Sequence, residues 1–164
     1  MQDPLTQQLL WVVLTAWSGN NNASTGTVTT QTGSYYSYYP ATYLFSNNLA
    51  QIVFAQNTGE WIQWDPASDY TFTGTVEVYR AGATGTPTAT VTYSDNSTVN
   101  TTLPASVGWH VVASGGGVLK SLKMQASTGA WNNWSGVKID GKLLIDSGVS
   151  VTSVPSIAST NRAN

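Results

Sequence analysis

No cysteine occurs in the 164 residues. That removes thiol nucleophiles, cysteine-ligated zinc and disulfide staples, and leaves the compartment open because extracellular proteins can also lack cysteine. Charge is nearly as scarce. Asp, Glu, Lys and Arg make up 9% of the chain, the formal net charge is −2, and no Lys or Arg precedes Arg80. A phosphate-neutralising basic face cannot be built from that inventory, so nucleic acid is excluded as a partner. The single histidine, His110, sits beside Trp109 in an apolar run, which fits a structural or surface role better than a general base. No serine has the Gly-x-Ser-x-Gly setting of a nucleophile elbow. No Asp-x-Asp-x-Asp-Gly loop is present for calcium. No apolar run reaches the roughly 18 residues of a membrane-spanning helix. No long helical period follows residue 20, which excludes a parallel βαβ sheet.

What remains is Thr, Ser, Asn and Gly interleaved with Trp and Tyr, the usage of many short strands joined by turns. The strongest local signal is Val137-Lys138-Ile139-Asp140-Gly141-Lys142-Leu143-Leu144-Ile145-Asp146. Two apolar-rich runs flank an Asp-Gly pair, and Asp-Gly accepts the positive φ angles of a two-residue type I′ turn. The implied register pairs Ile139 with Lys142, Lys138 with Leu143 and Val137 with Leu144. Apolar groups then lie on both faces of the ribbon, which places it inside a larger sheet.

Upstream, strands are expected at 50–55 and 60–64, with a turn at Asp65-Pro66-Ala67-Ser68-Asp69. Tyr70, Phe72, Val76 and Val78 alternate with Thr71, Thr73, Thr75 and Glu77 as one long half-buried strand. Ala89, Val91 and Tyr93 repeat that period before an Asp95-Asn96 turn. Runs at 107–113 and 118–126 flank Gly115-Gly116-Gly117. About eight strands result, and the fold class is all-β, an antiparallel β-sandwich of jelly-roll or lectin-like type.

The start of the chain reads differently. Asp3-Pro4 and Ser18-Gly19 are helix start and stop signals. Between them Leu9, Leu10, Trp11, Val12, Val13 and Leu14 are apolar all round, so a helix or strand there needs covering. Leu9, Leu10, Trp11, Val13 and Leu14 are candidate assembly residues, with another subunit or the domain's own core as cover. A secretory leader is the rival reading, but Asp3 stands where such a leader carries Lys or Arg. Residues 18–34 form a Gly, Asn, Ser and Thr tract with one short edge-strand candidate at Thr27-Val28-Thr29-Thr30. The expected organisation is an arm and linker over 1–34, a sandwich over 35–152 and a closing linker over 153–164.

Several stretches carry a resemblance: Phe45 to Leu49, Trp64-Asp65-Pro66, Val76-Glu77-Val78-Tyr79, Trp109, Leu122-Lys123-Met124, the 137–146 hairpin, and the closing 153–164 run. Their order resembles a β-sandwich module of virion and tail proteins of marine bacteriophages, notably cyanophages. The similarity covers about residues 41–164. It implies a sandwich domain in a phage particle, with other virion subunits and a host-surface glycan as partners.

Two function classes follow. The first is a non-catalytic structural or host-adhesion component of a bacteriophage particle, tail-associated, fibre or capsid-decorating, assembling as a homo-oligomer. The alternative is a secreted, lectin-like carbohydrate-binding module. No cofactor or metal is expected. Glu60, Asp65, Asp69 and Glu77 are the carboxylates available to a glycosidase, yet Asp65 and Asp69 bracket a turn, and Asp140 and Asp146 a hairpin arm. Better candidates for a ligand site are Trp131, Asn132, Asn133, Trp61, Tyr36 and Tyr38. Indoles stack on the apolar faces of sugar rings, and amides between two tryptophans can pair with hydroxyls. The plainer reading has Trp134 packed inward ahead of the hairpin, Trp131 over a sheet edge, and the tyrosines capping one end of the sandwich.

Overall fold

The computed structural model describes residues 27–30, 41–55, 58–66, 68–127 and 132–145. Eleven strands are described: β1 Thr27–Thr30, β2 Val53–Ala55, β3 Trp61–Asp65, β4 Tyr70–Phe72, β5 Thr75–Arg80, β6 Thr88–Tyr93, β7 Thr98–Thr102, β8 Gly108–Ser114, β9 Gly117–Gln125, β10 Asn132–Ile139 and β11 Lys142–Leu143. All pairings are antiparallel. One sheet of six runs β1-β3-β9-β6-β7, with β4 also on β9. The second, of five, runs β11-β10-β5-β8, with β2 also on β10.

The alternation in the sequence explains the two layers. In β3, β5 and β6 every second residue is buried and its neighbours are half-exposed, the pattern of a strand with one face on a core. The six-stranded sheet contributes Ile62, Trp64, Phe72, Ala89, Val91, Leu119, Leu122 and Met124. The five-stranded sheet contributes Val53, Val76, Val78, Trp134, Val137 and Ile139. A 3₁₀ turn at Ala41–Phe45 plugs Leu44 and Phe45 into the same core, with the Phe45 ring edge-on to Trp64 at 5.3 Å.

The hairpin forms in the expected register, with Lys138 opposite Leu143 and Ile139 opposite Lys142. Leu144 N–H donates to Val137 O. Asp140 and Gly141 have φ of 51° and 73°, both positive as a type I′ turn requires. Thr27–Thr30 is an edge strand paired with β3, so the sheet begins ahead of residue 35.

The long strand expected over 70–78 is two strands in different sheets. Chain direction breaks at Thr73-Gly74, where Asp140 accepts from Thr73 N–H at 3.0 Å and Gly74 N–H at 2.6 Å. A Cβ on Gly74 would lie 3.1 Å from that carboxylate oxygen, so the glycine permits the approach. The strand expected over 50–55 shortens to Val53–Ala55, because Asn47 turns at φ 61° and Asn48 Oδ1 accepts from Ala50 N–H.

The candidate assembly residues Leu9, Leu10, Trp11, Val13 and Leu14, together with Tyr36, Tyr38, Trp131 and the 153–164 run, lie outside the described residues. Among the described residues, no helix is long and apolar enough to cross a membrane, and no group of three or more His, Asp or Glu side chains is placed to hold a metal.

Candidate functional site

Strand direction sends the connections of the sandwich to two ends with different chemistry. At one end lie the Asp140-Gly141 turn, the Thr73-Gly74 crossing and Gly115-Gly116. They are joined backbone to backbone, with Gly115 N–H donating to Gly74 O at 3.0 Å and Asp140 N–H to Thr75 O at 2.9 Å. Close main-chain packing leaves little room for a ligand there. At the opposite end the described parts of four connections come together: 58–60, 81–87, 103–107 and 126–127.

That second end is held by Arg80. It closes β5 on the inward side of the five-stranded sheet, as the alternation of Val76, Val78 and Arg80 dictates, and its side chain is fully buried. The guanidinium donates through one terminal nitrogen to Pro104 O and through the other to Thr84 O. One cation thereby ties the β5–β6 connection to the β7–β8 connection. Burial lowers its pKa from the ordinary value, but a guanidinium keeps its proton across the physiological range. A buried charge must have hydrogen-bond partners, and here loop carbonyls serve. Thr86 N–H donates to Ser127 Oγ at 3.3 Å, and His110 Nε2 lies 3.0 Å from Ser106 O. His110, on β8, thereby reaches back to the 103–107 connection.

Trp61 opens β3 at this end, opposite Gln125 of β9. Ile62 and Trp64 point into the core, so Trp61 faces outward, half-exposed. Gln125 donates to Gly59 O at 3.0 Å and Gly59 N–H donates to Ala126 O at 2.9 Å, which fixes the turn leading into Trp61. Asn132 and Asn133 open β10 opposite Ala55 and Phe54. Asn133 lies against Gly82, where an added Cβ would overlap its amide nitrogen, and its Oδ1 is buried without a hydrogen-bond partner.

The structure therefore brings Trp61, Asn132 and Asn133 to one end of the sandwich, but on different sheets rather than on one face. Trp134, next in sequence, is fully buried, and its Nε1 donates to Gly136 O at 3.0 Å. Trp109 is also half-exposed near this end, yet its ring is engaged: Tyr79 meets it edge-on at 5.3 Å and Lys138 Nζ sits 4.0 Å above it. Of the carboxylates Glu60, Asp65, Asp69 and Glu77, two bond along their own strands. Asp65 accepts from Gln63 Nε2 at 2.8 Å and Glu77 from Thr75 Oγ1 at 3.2 Å, each satisfied by a neighbour on its own strand. Sequence reasoning missed Arg80 and Gly82. The placement of a lone Arg at an inward position of the 75–80 strand was the available signal for the first, and none existed for the second.

No family model and no curated protein matches the chain. Solved structures do. The family 32 carbohydrate-binding module of AlyQ, in complex with 4,5-unsaturated mannuronic acid, is 17% identical with a TM-score of 0.53, covering 69% of this chain and 92% of that one. The family 32 module of Clostridium perfringens NanJ, in complex with galactose, is 8% identical with a TM-score of 0.56, covering 72% and 95%. A pectin-binding module is 9% identical with a TM-score of 0.54, covering 70% and 88%. At these identities the likeness establishes the β-sandwich fold. The leading functional expectation, a structural or adhesion component of a phage particle, is overturned, since the neighbours named here are carbohydrate-binding modules. The physical reason is that the stretches behind the resemblance do general work in this fold. Val137 and Ile139 are core, Trp64 is core, and Asp140-Gly141 is a turn.

Proposed function

We propose that this chain is a non-catalytic carbohydrate-binding module that presents the Arg80-pinned loop end to a glycan. The observation that carries the reading is the likeness to whole modules: about nine-tenths of each neighbouring module is covered, and the complexes named for them hold sugars. The loop end supplies suitable parts. Trp61, half-exposed where β3 begins, offers an indole for stacking on a pyranose face. Arg80 supplies the preorganisation that lets a loop site bind without first ordering its loops.

The test is titration of the full chain against mono- and oligosaccharides, neutral and uronic, on an array and by calorimetry. At least one glycan class should bind, and Trp61→Ala should weaken that binding tenfold or more while leaving the melting transition nearly in place. Absence of binding across the array, or hydrolysis of a bound glycan that a single Glu or Asp substitution abolishes, would overturn the proposal.

A further inference from the structure

Strand β7 ends the six-stranded sheet, and among the described residues it pairs with β6 alone. Tyr93 N–H donates to Ser97 O and Leu103 N–H to Pro87 O. The register between these bonds runs unbroken from Thr92 opposite Thr98 to Thr88 opposite Thr102. Hydrogen-bonded pairs alternate along an antiparallel ladder, so residues 97, 99, 101 and 103 bond to β6. The N–H and C=O groups of Thr98, Asn100 and Thr102 therefore point away from it. Thr98, Val99, Asn100 and Thr102 are exposed.

Natural edge strands are guarded by Lys, Pro, bulges or a covering segment. The other sheet's edge, β8, carries such a bulge opposite Val76 and Glu77. The sequence of β7, Thr-Val-Asn-Thr-Thr, has no charge and no proline, and its pairing to β6 shows no bulge.

We propose that β7 is a self-association edge, pairing antiparallel with β7 of a second copy about a two-fold axis through Asn100. The strand is self-complementary in that register. Asn100 faces its own copy and Thr98 faces Thr102, and all of these are positions whose backbone groups point away from β6, so each of them gains a partner. Val99, 39% exposed, comes opposite Thr101 of the second copy and loses water contact. Asp95, the nearest acid, comes opposite Ala105 of the second copy, so no like charges meet. The six-stranded sheets join into one continuous sheet, an isologous interface. A single short strand pair falls well below the roughly 1,000 Å² of a stable interface, so the dimer is weak and populated toward millimolar concentration. Because the strands are antiparallel, the two loop ends point in opposite directions, which suits bridging two ligand chains.

The experiment is sedimentation velocity and native mass spectrometry of the full chain from micromolar to millimolar concentration, with no glycan present. It is thus independent of the glycan reading. Wild type should show a concentration-dependent dimer. Asn100→Lys should raise the dissociation constant tenfold or more, since Oδ1 of Asn100 accepts from Thr90 Oγ1 at 2.7 Å on the outer face and a longer side chain there meets its own copy rather than the core. Mixing Asn100→Lys with Asn100→Glu chains should restore the dimer. Asn100→Pro should also abolish it with the fold intact, because that N–H makes no bond to β6. A wild type monomeric throughout, a dimer unmoved by Asn100→Lys and Asn100→Pro, or a charge-paired mixture that stays monomeric would each overturn the proposal.

Discussion

The carboxylate of Asp140 is the most informative single group to perturb, because one side chain joins the hairpin turn to the crossing between sheets. It accepts from Thr73 N–H at 3.0 Å, Gly74 N–H at 2.6 Å and Thr73 Oγ1 at 3.4 Å, and its own φ is 51°. Two separable effects follow. Hydrogen bonds to a charged acceptor contribute about 1.5–3 kcal/mol when buried. Asp140 is exposed, and solvent reduces the pair to about 2 kcal/mol together. Left-handed backbone adds about 1 kcal/mol for a residue such as Ala, less for Asn and none for Gly. Asp140→Asn should thus cost about 1 kcal/mol, Asp140→Gly about 2, and Asp140→Ala about 3. At about 4 °C per kcal/mol for a domain of this size, the order is readable in melting curves and in urea midpoints.

The same group sets a pH signature. Burial pulls its pKa up, but the N–H bonds from Thr73 and Gly74 outweigh that and hold it below the ordinary carboxylate value. A depressed folded pKa contributes stability that is present above the unfolded value, about 3.9, and lost as pH falls through the folded value. The gap between wild type and Asp140→Asn should be constant from neutral pH to about pH 4 and should shrink below it. Equal stability of wild type and Asp140→Ala at pH 7, or a gap that persists unchanged in acid, would refute this account of the crossing.

Gly141→Val places a β-branched residue at φ 73°, and although nothing lies within 4 Å of the added Cβ, the backbone strain should cost about 1 kcal/mol or more in a urea midpoint. Trp61→Ala, removing a half-exposed side chain, should cost about 1 kcal/mol, well under the roughly 3–5 expected for a buried tryptophan, so its effect on glycan titrations can be read without a folding correction.

The fold was legible where local chemistry and global need coincide. Asp140-Gly141 needs positive φ and sits at a turn, and Val76, Val78, Ala89 and Val91 alternate because their strands have one wet face. The crossing at Thr73-Gly74 was not legible, because Thr71, Thr73 and Thr75 continue the period of two straight through it. What breaks the strand is a carboxylate 67 residues away in sequence. At the candidate site Asn133 and Trp61 were expected from residue type, and the structure places both at one end of the sandwich. Their separation onto two sheets was hidden, since it depends on which sheet each connection joins.

Arg80 adds a side-chain tie to a loop end that also carries main-chain bonds, from Gly59 N–H to Ala126 O, Ala81 N–H to Asn133 O and Leu103 N–H to Pro87 O. A buried guanidinium with no carboxylate partner among the described residues incurs a desolvation cost that carbonyl dipoles only partly offset, so it is a poor device for stability and a good one for position. Truncation separates the two roles. Arg80→Met keeps most of the volume, and the freed carbonyls of Pro104 and Thr84 belong to exposed residues that can turn to water. Stability should therefore change by about 1 kcal/mol or less, whereas Arg80→Ala opens a cavity and should cost about 3–5. Position should respond oppositely. In Arg80→Met the amides of Thr86 and Ser106, which bond to Ser127 Oγ and Pro104 O, should lose exchange protection while those of β5 and β9 keep theirs. Glycan affinity should fall with them, because ordering the loops then becomes part of the cost of binding. Unchanged protection at Thr86 and Ser106 in a folded Arg80→Met chain would mean that the connections hold themselves, and that the guanidinium is only packing.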